Sequence, residues 1–349
     1  MSKQNHRGGA TKGPRIVVIG GGTGLGTILR GLKEITPNLT AIVAVADDGG
    51  SSGRLRRDYG ILPPGDIRNC LVAMADLEPL MEKLFQYRFS GDSDLAGHSF
   101  GNLFLTAMTG ITGDFVAAIK ESSKVLAVHG RVLPATLADV TLKAELIDGT
   151  IIYGESTISR SKIPIKQVFL EPEGSKPLPE AIAAINNADV IVLGPGSLFT
   201  SIIPNLLVAE ISKAIKDSKA LKLYVCNAMT QPGETANFSA GDHLRAIVNH
   251  AGFGLVDIAI VNTDKVPADI LARYHAEGSD QVAVDFEKIR NLGVTPLGLK
   301  VITKANVIRH DAMKLARIIE RLSRTQNIGF GFGKLFLRQL NRFLKGLSV

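Results

Sequence analysis

The chain has 349 residues, 45% of them hydrophobic, which is enough to bury the core of one large α/β domain. Its net charge of +7 is concentrated at the ends: residues 1–15 carry +4 and residues 312–349 carry +7, leaving −4 on the body, which argues against a nucleic-acid-binding body. The two cysteines, Cys70 and Cys226, lie too far apart for a metal motif and fit a reduced compartment.

The first 15 residues, MSKQNHRGGATKGPR, hold no apolar stretch of the signal-peptide kind. No apolar run approaches the ~20 residues that span a bilayer. The expectation is a cytoplasmic protein with a basic tail over 1–14, an α/β domain over 15–325 and a separate C-terminal segment over 326–349.

RIVVIG (Arg15–Gly20) reads as a buried strand ending in glycine, and LGTILRGLKEI behind it has helical spacing. TAIVAVA (Thr40–Ala46) is the next strand. This strand–helix–strand order is a βαβ unit with a right-handed crossover. Helical patterns dominate from Asp66 to Glu121. From about 125 to 170 the pattern becomes β-rich, with a hairpin signal at Asp148-Gly149. The α/β rhythm returns with a helix over Glu180–Asn187 and strands in DVIVLG, LKLYVCN and VDIAIVN. A last helix begins at Asp311 and runs to about Arg324. The expected fold is a Rossmann-like, mostly parallel sheet with helices on both faces and a β-rich insertion.

Four polar clusters follow apolar strands, and a parallel sheet would bring all four to its carboxyl edge, where such sheets bind ligands. The first is GGGTGLG, in which Gly21, Gly22, Thr23 and Gly24 can offer backbone N–H groups to a phosphate at a helix N-terminus. Leu25 and Thr27 stand where a dinucleotide fingerprint needs glycine, and no Walker lysine follows. A glycine turn needed only for packing is the alternative.

The second cluster, ADDGGSSGRLRRDYG, is read as a loop. Asp47 and Asp48 are placed like a ribose-binding acid or a divalent-cation clamp, Ser51 and Ser52 supply hydroxyls, and Arg54 can fork onto a phosphate. PPGDIRN adds Asn69, with Asp66 read as a helix cap, and GHSFGNLFL adds Asn102. The third cluster, LGPGSLFTSIIPN, is a second phosphate cradle built from Gly194, Gly196, Ser197 and Thr200. The fourth, CNAMTQPGET, carries Asn227, Thr230 and Gln231, suited to a sugar or a base. Two phosphate-type loops with amide-rich loops describe a diphosphate-bearing ligand such as a nucleotide sugar. No Ser–His–Asp arrangement and no Cys/His metal spacing is legible.

Taken together, GGGTGLG, DDGGSSGRLR, PPGDIRN, GHSFGNLFL, GPGSLFTSIIPNL, MTQPGET and VIRHD, in order from about residue 15 to 325, resemble the YvcK family of bacterial gluconeogenesis factors, also called GlmR. That family is similar in fold to the CofD-like 2-phospho-lactate transferases. The resemblance implies a cytoplasmic, non-catalytic regulator that binds UDP-sugars, notably UDP-N-acetylglucosamine, and needs no cofactor. It also implies a role in cell shape and wall synthesis on gluconeogenic carbon sources, through amino-sugar supply, with an amino-sugar synthesis enzyme as partner. By motif position, Tyr274 and Arg309 are the implied UDP-sugar contacts.

The competing expectation is a CofD-like transferase in which Asp47 and Asp48 hold magnesium against a diphosphate. A homo-oligomer is expected in either case. Beyond the resemblance, KLFLRQLNRFLKGL behind the GFGFG glycines gathers apolar residues on one helical face and Lys334, Arg338, Arg342 and Lys345 on the other. That is the pattern of a segment that docks weakly on an anionic membrane or a partner.

Overall fold

The computed structural model describes residues 13–76, 78–304 and 307–326. Most of the basic N-terminal tail and the amphipathic C-terminal segment read from the sequence lie outside the described residues.

Among the described residues twelve strands follow in order: β1 (Ile16–Gly20), β2 (Leu39–Val43), β3 (Arg131–Pro134), β4 (Thr141–Leu146), β5 (Ile151–Tyr153), β6 (Ile165–Glu171), β7 (Val190–Leu193), β8 (Leu221–Val225), β9 (Ile258–Asn262), β10 (Thr295–Leu299), β11 (Ile302–Lys304) and β12 (Ile308–His310). Seven form one sheet in the order β10-β9-β8-β7-β1-β2-β3, with every neighbouring pair parallel. Strands β1, β2, β7 and β9 are buried along their whole length. Burial on both faces is why they read as unbroken β-branched runs instead of alternating ones. The order reverses between β1 and β7. Right-handed crossovers on the two sides of that reversal place helices on opposite faces and open a crevice at the carboxyl ends of β1 and β7.

The β-rich insertion is a three-stranded antiparallel sheet, β5-β4-β6. Its hairpin turns at Asp148-Gly149, where the Asp148 carboxylate accepts the Thr150 N–H at 2.9 Å. The first strand of the region read as insertion, β3, belongs to the main sheet as its edge. The insertion therefore fills the connection that crosses the reversal point. The Val168 N–H, donated to His250 Nε2 at 3.0 Å, ties it to the helix Ala240–Ala251.

Two local readings change. The stretch GSSGRLRRDY is a helix, Gly50–Tyr59, instead of a loop. Gly49 enters it in extended conformation, its N–H held by Asp47 Oδ1 at 2.9 Å, and Gly60 ends it in the left-handed conformation. Leu55 is its one buried apolar side chain, so the helix has no apolar stripe to announce it. The helix in SLFTSIIPN begins with a π-helical turn, Leu198–Ile202, before Ile203–Leu207. The last helix, Ala312–Gln326, starts as read, with Asp311 Oδ1 accepting the Lys314 N–H at 2.9 Å. Among the described residues no single helix is long and apolar enough to cross a membrane.

Candidate functional site

The four clusters meet at the carboxyl edge, but they form two adjoining cavities. The larger, about 400 Å³, is lined by Gly21–Gly24 after β1, Gly196 and Ser197 after β7, Asn227 and Thr230–Gln231 after β8, and Tyr274 and Arg309 from the other side. The smaller, about 270 Å³, is lined by Asp47, Ser51, Ser52, Asp66, Arg68, Asn69, Arg88 and Asn102.

The helix Gly22–Leu32 begins in the larger cavity; its N-cap residue, Gly21, supplies no side-chain cap, and of its first N–H groups that of Gly22 is held by the Asp66 carboxylate. A Cβ on Gly24 would lie 2.9 Å from the Pro195 carbonyl oxygen, so only glycine lets the turns after β1 and β7 touch. A Cβ on Gly21 would lie 2.2 Å from the Asp66 carboxylate. Asn227 backs the second turn with both ends of its amide: Oδ1 accepts the Gly196 N–H at 3.2 Å and Nδ2 donates to the Gly196 carbonyl at 2.8 Å. Gln231 Nε2 donates to Ser197 Oγ at 2.8 Å. Thr230 is buried and ties the loop after β8 to Asp280. The Tyr274 hydroxyl accepts the Ile308 N–H at 3.0 Å, which holds β12 and Arg309 over the cavity. Two residues that lie 35 positions apart in sequence thus share one wall.

Three expected contacts are placed elsewhere. Thr200 is 3% exposed and donates to Glu234 Oε1 at 2.9 Å, while Glu234 Oε2 accepts the Phe199 N–H at 3.0 Å. This buried carboxylate occupies the N-terminus of the helix behind GPGS, so only Gly196 and Ser197 of the expected second phosphate cradle, and neither Thr200 nor Gly194, line the cavity. Arg54 lines neither cavity; its Nη2 donates to the Ala96 carbonyl at 2.5 Å.

Asp47 and Asp48 also diverge. Asp47 caps Gly49 and faces the smaller cavity, whereas Asp48 Oδ1 accepts the Ser156 N–H of the insertion at 2.9 Å. Adjacent carboxylates turned to different neighbours do not make a common cation clamp. Among the described residues no group of three or more His, Cys, Asp or Glu side chains is gathered to hold a metal ion.

The structure gives Asp66, Glu155 and His310 settings that the sequence did not assign. Asp66 is not the helix cap expected; Pro64 holds that position, and the Asp66 carboxylate accepts from the Gly22 N–H across the wall between the cavities. Burial and the nearby Asp47 charge raise it to about 6. Glu155, in the short helix Glu155–Ile158 of the insertion, is pushed up to about 9 by burial and by Asp66, Asp47, Glu234 and Asp48. His310, behind the larger cavity, is held down at about 4 by burial and bonds to the Cys226 carbonyl. It is a neutral imidazole at physiological pH.

A doubly wound sheet with glycine turns at its reversal point and an antiparallel insertion in the connection that crosses it defines a CofD-like α/β protein, and the family model described as 2-phospho-L-lactate transferase CofD matches residues 16–302. The gluconeogenesis factor of Bacillus subtilis is 52% identical over 307 residues, covering 88% of this chain and 97% of that one. That of Halalkalibacterium halodurans is 51% identical over 318 residues, covering 90% and 99%. A crystal structure of a UPF0052-family protein from Bacillus halodurans superposes with a TM-score of 0.86 at 51% identity, covering 89% of this chain and 99% of that one. The chain belongs to the gluconeogenesis factor (YvcK) family of CofD-like proteins.

Proposed function

We propose that this gluconeogenesis-factor homologue is a cytoplasmic regulator that binds a UDP-sugar, UDP-N-acetylglucosamine, in the larger cavity. The observation that carries the reading is the meeting of the glycine turn and helix start at Gly21–Gly24 with Tyr274 and Arg309 across one cavity of about 400 Å³. The N–H groups and helix dipole favour a diphosphate, and the Arg309 guanidinium adds a cation on the opposite wall. Tyr274 presents a ring to a base, and the Asn227 and Gln231 amides suit sugar or base oxygens and N–H groups.

A transferase needs a cation held against the diphosphate, and the divergence of Asp47 and Asp48 favours binding over turnover. In this reading the ligand reports amino-sugar supply, and the bound protein acts on an enzyme of amino-sugar synthesis, in support of cell shape and wall synthesis on gluconeogenic carbon.

The test is titration calorimetry with UDP-N-acetylglucosamine, with and without magnesium, followed by product analysis. Stoichiometric binding without product is expected. Tyr274→Ala and Arg309→Ala are each expected to weaken binding at least about tenfold, on the order of 1.4 kcal/mol. Absence of binding, or magnesium-dependent consumption of the sugar nucleotide, would overturn the reading.

The basic amphipathic segment at the C-terminus is assigned to weak attachment at an anionic membrane. A chain lacking residues 329–349 is expected to lose its binding to phosphatidylglycerol vesicles. Equal binding by both chains would refute that attachment.

A further inference from the structure

The geometry points to a second binding site, in the smaller cavity, for the phosphate group of a small ligand other than the nucleotide sugar. Arg68 is its anchor. The residue is only 8% exposed, yet its guanidinium meets neutral acceptors alone: Nη1 donates to Ser99 Oγ at 2.5 Å and Asn102 Oδ1 at 3.0 Å, and Nη2 donates to Asn69 Oδ1 at 2.8 Å. Its Nε is buried with no partner.

No carboxylate stands within ion-pair distance of Arg68 among the described residues. Burying a guanidinium without a counterion is unfavourable, and an oxyanion in the cavity would offset that cost. Burial and the neighbouring positive charge of Arg88 lower the Arg68 pKa by more than the nearby Asp66 and Asp47 charges raise it.

The rest of the cavity is built for the same chemistry. Arg88 lines it from the exposed side, with Nη1 anchored on the Gly97 carbonyl at 2.5 Å. Two helices of ten residues, Gly50–Tyr59 and Gly65–Met74, begin at its wall without an N-cap side-chain bond, the second with Asp66 in its first turn. Ser51 and Ser52 add hydroxyls, and Asn102 Nδ2 fixes the Ser51 hydroxyl at 3.1 Å.

The two acids in the wall are turned to other work. Asp47 Oδ1 is held on the Gly49 N–H and the Asp66 carboxylate on the Gly22 N–H. They confine the anion to the arginine side. A volume of about 270 Å³ takes a phosphate monoester with a short carbon skeleton, and is small for a nucleotide. Asp66 separates the two cavities, so both ligands fit at once, and the protein can read a sugar nucleotide and a phosphorylated metabolite together.

The experiment is calorimetric titration of inorganic phosphate into the full chain in a phosphate-free buffer, repeated with UDP-N-acetylglucosamine at saturation. One phosphate is expected to bind in both conditions. Arg68→Met is expected to abolish that binding. Because this buried change can compromise folding, Arg88→Ala on the exposed side is the second variant, expected to weaken phosphate at least tenfold with an unchanged circular dichroism spectrum.

Failure of the wild-type chain to bind phosphate would overturn the site, as would unchanged affinity in Arg88→Ala. Displacement of phosphate by the sugar nucleotide would overturn it too, since the cavity would then hold that ligand's own diphosphate. If the sugar nucleotide itself does not bind, the phosphate titration still reads this cavity, and only the reading of the larger one is lost.

Discussion

The glycine turns after β1 and β7 look alike in sequence: each follows a buried strand, each is rich in glycine, and each opens a helix. In the folded chain they differ in the one property that matters for an anion. At the first helix the Asp66 carboxylate takes the Gly22 N–H and leaves Thr23 and Gly24 lining the cavity, whereas at the second Glu234 holds the Phe199 N–H and the Thr200 hydroxyl, and neither residue lines it. A strand–glycine–helix pattern therefore specifies the backbone shape of a phosphate site, while a residue some 35 positions away decides whether the donors are free.

Removing the plug tests that contrast with the largest effect. Glu234→Ala leaves the Phe199 N–H and the Thr200 hydroxyl buried without an acceptor, and a loss of roughly 2–4 kcal/mol is expected in urea unfolding. Glu234→Gln, which keeps one carbonyl acceptor, is expected to lose less. Equal stability of both variants with the parent would mean that the second helix N-terminus is not closed by this carboxylate.

Prying the two turns apart is the next largest. Gly24→Ala drives a methyl into the Pro195 carbonyl, and a loss of about 1–3 kcal/mol is expected, with weaker sugar-nucleotide binding. A change in binding without a change in stability would place the turns out of contact.

A third effect is pH-dependent and concerns Glu155 of the insertion, which lies near Asp66, Asp47 and Glu234. Glu155 has its pKa raised from the ordinary 4.5 to about 9, so the folded chain keeps a proton that the unfolded chain releases. Its contribution is favourable below about 4.5 and is lost progressively as pH rises toward 9. Glu155→Gln is expected to raise the melting temperature at pH 8, by an amount that shrinks toward pH 5. A gain that is constant with pH would mean that the carboxylate is not held protonated. Asp66, raised to about 6, gives the same sign over a narrower window that closes near that value.

The sheet was legible because strands buried on both faces leave continuous runs such as IVVIG and VIVL, and the glycine clusters behind them marked the carboxyl edge. The wall formed by Tyr274 and Arg309 was legible only through family resemblance, since neither residue carries a local signal. The helix Gly50–Tyr59 escaped because Leu55 alone anchors it, so it has no hydrophobic period. The partner of Asp48 and the settings of Glu155, Glu234 and Arg68 were not legible for a different reason. Their roles depend on which groups the fold buries beside them: the Ser156 N–H that holds Asp48 is 108 residues away. Type and spacing identify a glycine turn, but the state of a carboxylate or guanidinium is a property of its burial and its distant neighbours.

The most direct measurement is a crystal structure of the full chain with UDP-N-acetylglucosamine. The diphosphate is expected against the backbone of Thr23 and Gly24, with Tyr274 and Arg309 in contact with the ligand. Density for the diphosphate beside Arg68 and Asn102, or against the Glu234-capped turn, would contradict it.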